Sequence, residues 1–196
     1  MVKRENQKKA TREKWLAAAA VCFAEKGYSG CSVADIATAA KVSQGSLYVH
    51  FKNKEDIFKV MITEEHGQGT QKIRQVDVSS DIPKQIILLL ADCVQNVGFP
   101  VDHRLWTEIL AVAARDKSVQ DTFLASDKIM RDALIILLKE AARKGDIDES
   151  LNTEALSIWL YALVDGLIAR KADNPDFDFN QYQDTFEKLI YRALRP

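Results

Sequence analysis

An all-α protein of about nine helices is predicted by three features of this chain. Leu, Ala, Ile, Lys and Glu dominate its 196 residues, and only eight Gly and four Pro interrupt them, a usage that favours helix over strand. Apolar residues recur at helical rather than alternating spacing in one segment after another. The interruptions fall where helices would end, at Gly27, Gly98-Phe99-Pro100, Gly145 and Asn174-Pro175.

The first helix is expected over Thr11 to Lys26, with Leu16, Ala19, Ala20 and Phe23 as its apolar stripe and Gly27 as a left-handed end. Before it, Met1 to Ala10 reads as a frayed, solvated tail, or as an arm whose Lys3, Arg4, Lys8 or Lys9 meets phosphate. A basic start followed by an apolar run also suggests a secretory signal. Glu5 and Glu13 interrupt the basic region, however, and no cleavage site follows, so a cytoplasmic protein is expected.

The segment from Ser32 to Lys54 predicts two short helices across a tight turn, then the start of a third. Ser32 and Asp35 have the spacing of a capping box, and Val33, Ile36, Ala37 and Ala40 share one apolar face. Ser43 is read as the N-cap of the next helix. That helix turns Leu47 and Phe51 inward and leaves Gln44, Gly45, Ser46, Tyr48, Val49 and His50 on a thin polar side. Such a pair of helices lays its second member in the major groove of DNA. Asn53, with Asp56 three residues on, caps a fourth helix running through Ile57, Val60 and Met61 towards Arg74. Lys54 opens it, where a cation opposes the helix dipole unless a phosphate binds there.

Ile36-Ala37, Val42-Ser43, Gly45-Ser46-Leu47-Tyr48, His50-Phe51 and Lys54-Glu55 resemble the DNA-binding domain of the TetR family of bacterial transcription regulators, within a stretch from Trp15 to Lys59. The resemblance implies a helix–turn–helix DNA-binding domain over residues 1–55 and a helical effector-binding and dimerisation domain over 56–196. It departs at the turn, where the family's Gly is Lys41. A left-handed backbone there costs a non-Gly residue roughly 1 kcal/mol. The implied roles put Ser43 at the head of the recognition helix, Gln44, Gly45 and Ser46 at base edges, Val49 on a thymine methyl, and Tyr48, His50 and Lys54 on phosphates. Tyr48 and His50 fit equally a place in the small helical core, and Lys54 a solvated one.

Charge agrees with this division. Up to Lys59 there are eleven Lys/Arg against six Asp/Glu, leaving 16 basic and 22 acidic residues in the rest. A basic head suits phosphate, and an acidic body does not.

Beyond the Gln75–Asp81 loop, a fifth helix (IPKQIILLLADCVQNVG) is apolar on most faces. A sixth carries Leu105, Trp106, Ile109, Leu110 and Ala113; a seventh, longer one runs from Asp116 to Lys144. The eighth, Leu151 to Lys171, is apolar nearly all round, so one face must meet the body core and another a second subunit. The last places Phe179, Tyr182, Phe186, Leu189 and Ala193 on one stripe. The resemblance implies a homodimer through these last two helices.

It also implies a small-molecule effector pocket in the body, for which Cys93, Phe99, His103, Trp106, Met130, Trp159, Tyr161 and Asp165 are the candidates. Aromatic and Met residues at helical spacing are more often plain core. Glu108 and Asp92 would favour a cationic ligand. The three Cys are expected as buried reduced thiols, with redox sensing by Cys31 or Cys93 as the alternative. His50, His66 and His103 lack metal-ligand spacing, and no phosphate loop or nucleophile motif is present, so no cofactor and no catalysis are expected. The expected function is ligand-responsive repression from a palindromic operator, with a constitutive DNA-binding dimer or an activator as alternatives.

Overall fold

The computed structural model describes residues 2–98 and 100–195. Every regular element among them is helical. The α-helices are α1 (Val2–Gly30), α2 (Val33–Ala40), α3 (Lys54–Arg74), α4 (Ile82–Gln95), α5 (His103–Ala113), α6 (Lys117–Lys144), α7 (Thr153–Asp173) and α8 (Gln183–Leu194). Two 3₁₀ segments, Gln44–Val49 and Phe179–Gln181, complete the order.

Local chemistry accounts for most boundaries. Ser32 and Asp35 form the expected capping box on α2. Asn53 Oδ1 accepts the Asp56 N–H at 2.8 Å at the head of α3, while the Asp56 carboxylate reaches back to the N–H of Lys52. Asp81, Asp102, Asp116 and Asn152 cap α4, α5, α6 and α7, each accepting an N–H three residues on.

Two expectations fail at the amino-terminal end. Residues 2–10 are helical and continuous with α1 rather than frayed. The segment after Ser43 is a 3₁₀ helix, and the Ser43 side chain caps nothing. Gly27 does end the first run, but with φ 72° and ψ 163°, extended rather than left-handed helical and open only to glycine.

The chain divides into two compact units, Met1–Glu64 with Phe99–Leu124, and Glu65–Gly98 with Ala125–Pro196. The first is larger than the expected 1–55 domain because it takes in α5 and the start of α6. Its core holds Trp15, Leu16, Phe23, Ile36, Leu47, Phe51, Ile57, Phe58, Met61, Leu105 and Ile109, all at most 3% exposed. Sequence-distant polar contacts tie α5 and α6 into it. Tyr28 N–H donates to Glu108 at 2.6 Å, and Lys59 Nζ donates to Ser118 at 2.5 Å. In the second unit, Ile82, Ile86, Leu138, Ala141, Ile147, Leu160 and Leu194 form one cluster drawn from α4, α6, α7, α8 and the loop after α6.

Candidate nucleic-acid interface

The recognition segment is anchored to the core at its middle and just beyond its end. Leu47 is fully buried beneath it, and Phe51 follows it into the core. Gln44, Gly45, Tyr48 and Val49 stand outward, Tyr48 74% and Val49 60% exposed. Two large side chains thus stand exposed on one 3₁₀ turn. Open space lies where a Cβ on Gly45 would sit, so packing does not demand glycine there. The turn before the segment is left-handed at Lys41, φ 54°, as its departure from Gly implied.

Two expected DNA contacts are engaged within the protein, and a third, His50, is partly covered. Ser46 Oγ donates to Ser43 O at 2.7 Å and accepts the buried Trp15 indole N–H at 3.1 Å. It therefore braces α1 against the recognition segment. His50 is half-buried, and burial, then the charges of Lys8 and Arg12, hold its pKa below the ordinary imidazole value. Lys54 Nζ donates to Tyr28 O at 2.7 Å and Cys31 O at 2.9 Å and lies 4.4 Å from the centre of the Tyr28 ring. Its ammonium thus joins the start of α3 to the α1–α2 corner, and burial pushes its pKa down. The cation at this helix start is held by two main-chain carbonyls. A cleft of about 600 Å³ separates the recognition segment from the first turns of α1, lined by Glu5, Gln7, Lys8, Thr11, Ser46, Val49 and His50.

The expected effector residues divide between the two units. His103 and Trp106 lie on α5 in the first, where Trp106 is buried with its ring 6.1 Å from Phe123. Phe99 lies outside the described residues. In the second unit Trp159 is 39% exposed and lines an apolar groove of about 440 Å³ between α4, α7 and α8, so it belongs to an outer face. Of the rest, Cys93, Tyr161 and Asp165 lie within electrostatic reach of Glu65 of α3, His66 shares Asp127 with Tyr161, and Met130 packs against Gly69 of the same helix.

Burial is the main influence on this cluster. It raises the Glu65 carboxyl, with the Gly98 N–H and Lys72 opposing and the charge of Asp165 adding. It lowers His66 to about 4, and it pushes Cys93 up to about 11 with help from Glu65. Burial also raises Tyr161, followed by the charges of Asp127 and Cys93. His66 Nδ1 is 2.7 Å from Ser126 Oγ. The Tyr161 hydroxyl oxygen is enclosed and has no hydrogen-bond partner among the described residues. An enclosed phenol costs free energy until something meets it.

Glu65 and His66 escaped the sequence reading because they sit in the polar run TEEHGQGT. The signal was the spacing Ile62, His66, Thr70, one buried stripe down α3.

A model of bacterial regulatory proteins of the tetR family matches residues 16–61, and one of the C-terminal part of BetI-type transcriptional repressors matches residues 90–195. The chain belongs to the TetR family. Like other TetR proteins it is a DNA-binding transcriptional regulator, and its relatives are regulators, not enzymes. It is 25% identical over 193 residues to the transcriptional repressor AcnR of Corynebacterium diphtheriae, covering 94% of this chain and 93% of that one. It is 30% identical over 165 residues to the repressor BepR of Brucella suis, covering 81% and 78%. Among solved TetR-like folds, the fatty acid degradation regulator FadR of Bacillus halodurans superposes with a TM-score of 0.81 at 23% identity, covering 94% of this chain and 96% of that one. FadR of Bacillus subtilis, in complex with stearoyl-CoA, gives 0.79 at 22%, covering 93% and 98%. No helix among the described residues is long and apolar enough to cross a membrane.

Proposed function

We propose that this TetR-family regulator is a homodimeric repressor that holds a palindromic operator and releases it when a small molecule binds the second unit. The observation that carries the reading is the apolar face left open along α7 and α8. Ile158 is 57% and Leu189 56% exposed, beside Trp159 and the groove between α4, α7 and α8. Large aliphatic and aromatic groups gathered on one face call for a cover, and a second copy of the same two helices supplies it with two-fold symmetry. Two heads on one dimer read two half-sites. Gln44, Gly45, Tyr48 and Val49 are assigned to the groove, and Lys8, Lys9 and His50 to the flanking backbone.

The effector is assigned to the cluster of Glu65, His66, Cys93, Met130, Tyr161 and Asp165. Partly buried carboxylates favour a lipophilic cation, whose charge offsets Glu65 and Asp165 while a polar atom meets the Tyr161 hydroxyl. An acyl-CoA, the kind of ligand held by the B. subtilis FadR structure, brings no cation to those groups and is the second reading. α3 and α6 each run through both units, so a ligand preferring one setting of these helices shifts the population of DNA-binding dimers.

The test is light scattering and operator titration on the wild type and Leu189→Glu. The wild type is expected as a dimer. The variant is expected as a folded monomer with operator affinity lower by on the order of 100-fold, the avidity of a two-headed binder. A wild type that is monomeric while binding DNA at full affinity refutes the reading. Thermal shift with lipophilic amines and with acyl-CoA, on wild type and Glu65→Gln, separates the two effector classes.

A further inference from the structure

We infer that Cys22 and Cys31 form a thiol–disulfide exchange site that ties operator affinity to the redox state of small thiols around the protein. The three Cys were expected to be reduced; instead Cys22 and Cys31 are joined as a disulfide, with Cα atoms 5.9 Å apart, leaving Cys93 free. The bond links the body of α1 to the residue just before Ser32, the N-cap of α2.

What that bond holds is the corner behind the DNA-binding surface. Cys31 O accepts from Lys54 Nζ, the first residue of α3, and Ser32 closes the capping box of α2. The corner between them contains Gly27, the one glycine-only backbone conformation in α1, and Tyr28, whose N–H and C=O are held by Glu108 and Lys54. One covalent link therefore sets the geometry of α1, α2 and α3 where they meet. The recognition segment is braced on the same α1 through Trp15 and Ser46.

The two sulfurs differ in access. Cys31 is 1% exposed, whereas Cys22 is 6% exposed and contributes to a surface cleft of about 400 Å³ between α1 and α2, shared with Ala18, Val21, Glu25, Asp35 and Thr38. A low-molecular-weight thiolate entering that cleft attacks Cys22 Sγ. The Cys22–Cys31 bond breaks as the new S–S bond forms, and Cys31 leaves as a thiolate that takes a proton from water. Its position at the amino-terminal end of α2 favours the leaving thiolate. A second thiolate then attacks the external sulfur of the mixed disulfide. This frees Cys22 and yields one small disulfide, so two thiols are oxidised for each protein disulfide reduced. The reverse sequence, with a small disulfide as oxidant, closes the bond.

The oxidised protein, its corner pre-set, is the tighter DNA binder. The experiment equilibrates the full chain in a series of reduced-to-oxidised glutathione ratios, traps free thiols with iodoacetamide and maps them by mass spectrometry. Thermal unfolding is read across the series, together with affinity for a duplex selected by the oxidised protein. Cys22 and Cys31 are expected to lose and regain alkylation together as the ratio changes. The unfolding midpoint should rise by about 5–10 °C on oxidation, the scale for closing a short loop in a chain of this size. Affinity should rise by about 5-fold, the low end of allosteric coupling. Cys22→Ser should abolish all three responses, and the wild-type comparison needs no variant to fold. Independent alkylation of the two residues at every ratio overturns the inference, as does pairing that leaves affinity unchanged. The alkylation map does not depend on DNA, so its failure is distinct from failure of the repressor reading.

Discussion

Replacing Lys54 with Met separates two roles that both weaken DNA binding. The structure gives the ammonium two carbonyl acceptors, Tyr28 O and Cys31 O, at 2.7 and 2.9 Å. Met keeps the stem against the Tyr28 ring but leaves both oxygens without that donor. A charge-assisted bond contributes more than a neutral one, yet the burial that lowers the Lys54 pKa offsets part of the gain, so the net loss is about 2 kcal/mol. In a chain of this length that is about 4–8 °C in unfolding midpoint. DNA affinity should fall through misplacement of α3, with the dependence of log K on log salt unchanged, because no phosphate contact is removed. The assay is differential scanning calorimetry beside operator titrations over a range of salt. A slope smaller by about 1 per subunit with an unshifted midpoint would mean that Lys54 neutralises a phosphate, and the strut argument would be wrong.

Ser46→Ala removes the acceptor of the buried Trp15 N–H. It should cost about 1–2 kcal/mol in chemical denaturation and weaken all DNA sequences alike; a change of base preference instead would restore Ser46 to the groove. Lys41→Gly relieves a left-handed residue at the turn and should stabilise by roughly 1 kcal/mol, so a lower midpoint would contradict the φ of 54°. His66 is 1% exposed and neutral down to about pH 4. The unfolded chain binds its proton near pH 6.5, so its contribution is complete above that value and is lost as pH falls to about 4. The loss approaches roughly 3 kcal/mol. His66→Gln should flatten the stability profile in that window, and an unaltered profile would show that other groups cause it.

Periodicity located the helices because 3.6-residue spacing is a local property of the chain, and the Ser32–Asp35 and Asn53–Asp56 caps are local as well. The outward set on the recognition segment was legible in part. Tyr48 and Val49 face solvent as the spacing of Leu47 and Phe51 implies, but Ser46 and Lys54 find partners twenty or more residues away. No local pattern reports such a partner. The polar arm before Thr11 is helical although its composition reads as a frayed tail. Glu65 and His66 lie in a polar run whose composition does not show which side α4, α6 and α7 cover.

Residue order by itself determined the helical class, the helix–turn–helix with its left-handed Lys41, and the apolar excess of α7 that requires cover on more than one side. Only tertiary structure decided that Cys22 meets Cys31, that Lys54 and Ser46 hold the head together from within, and that an enclosed phenol and a neutral histidine share the second unit with Glu65. Helix formation and capping depend on neighbours within four positions. The pairing of thiols, ammonium groups and buried acids depends on which helices converge, and that is known only once the whole chain has packed.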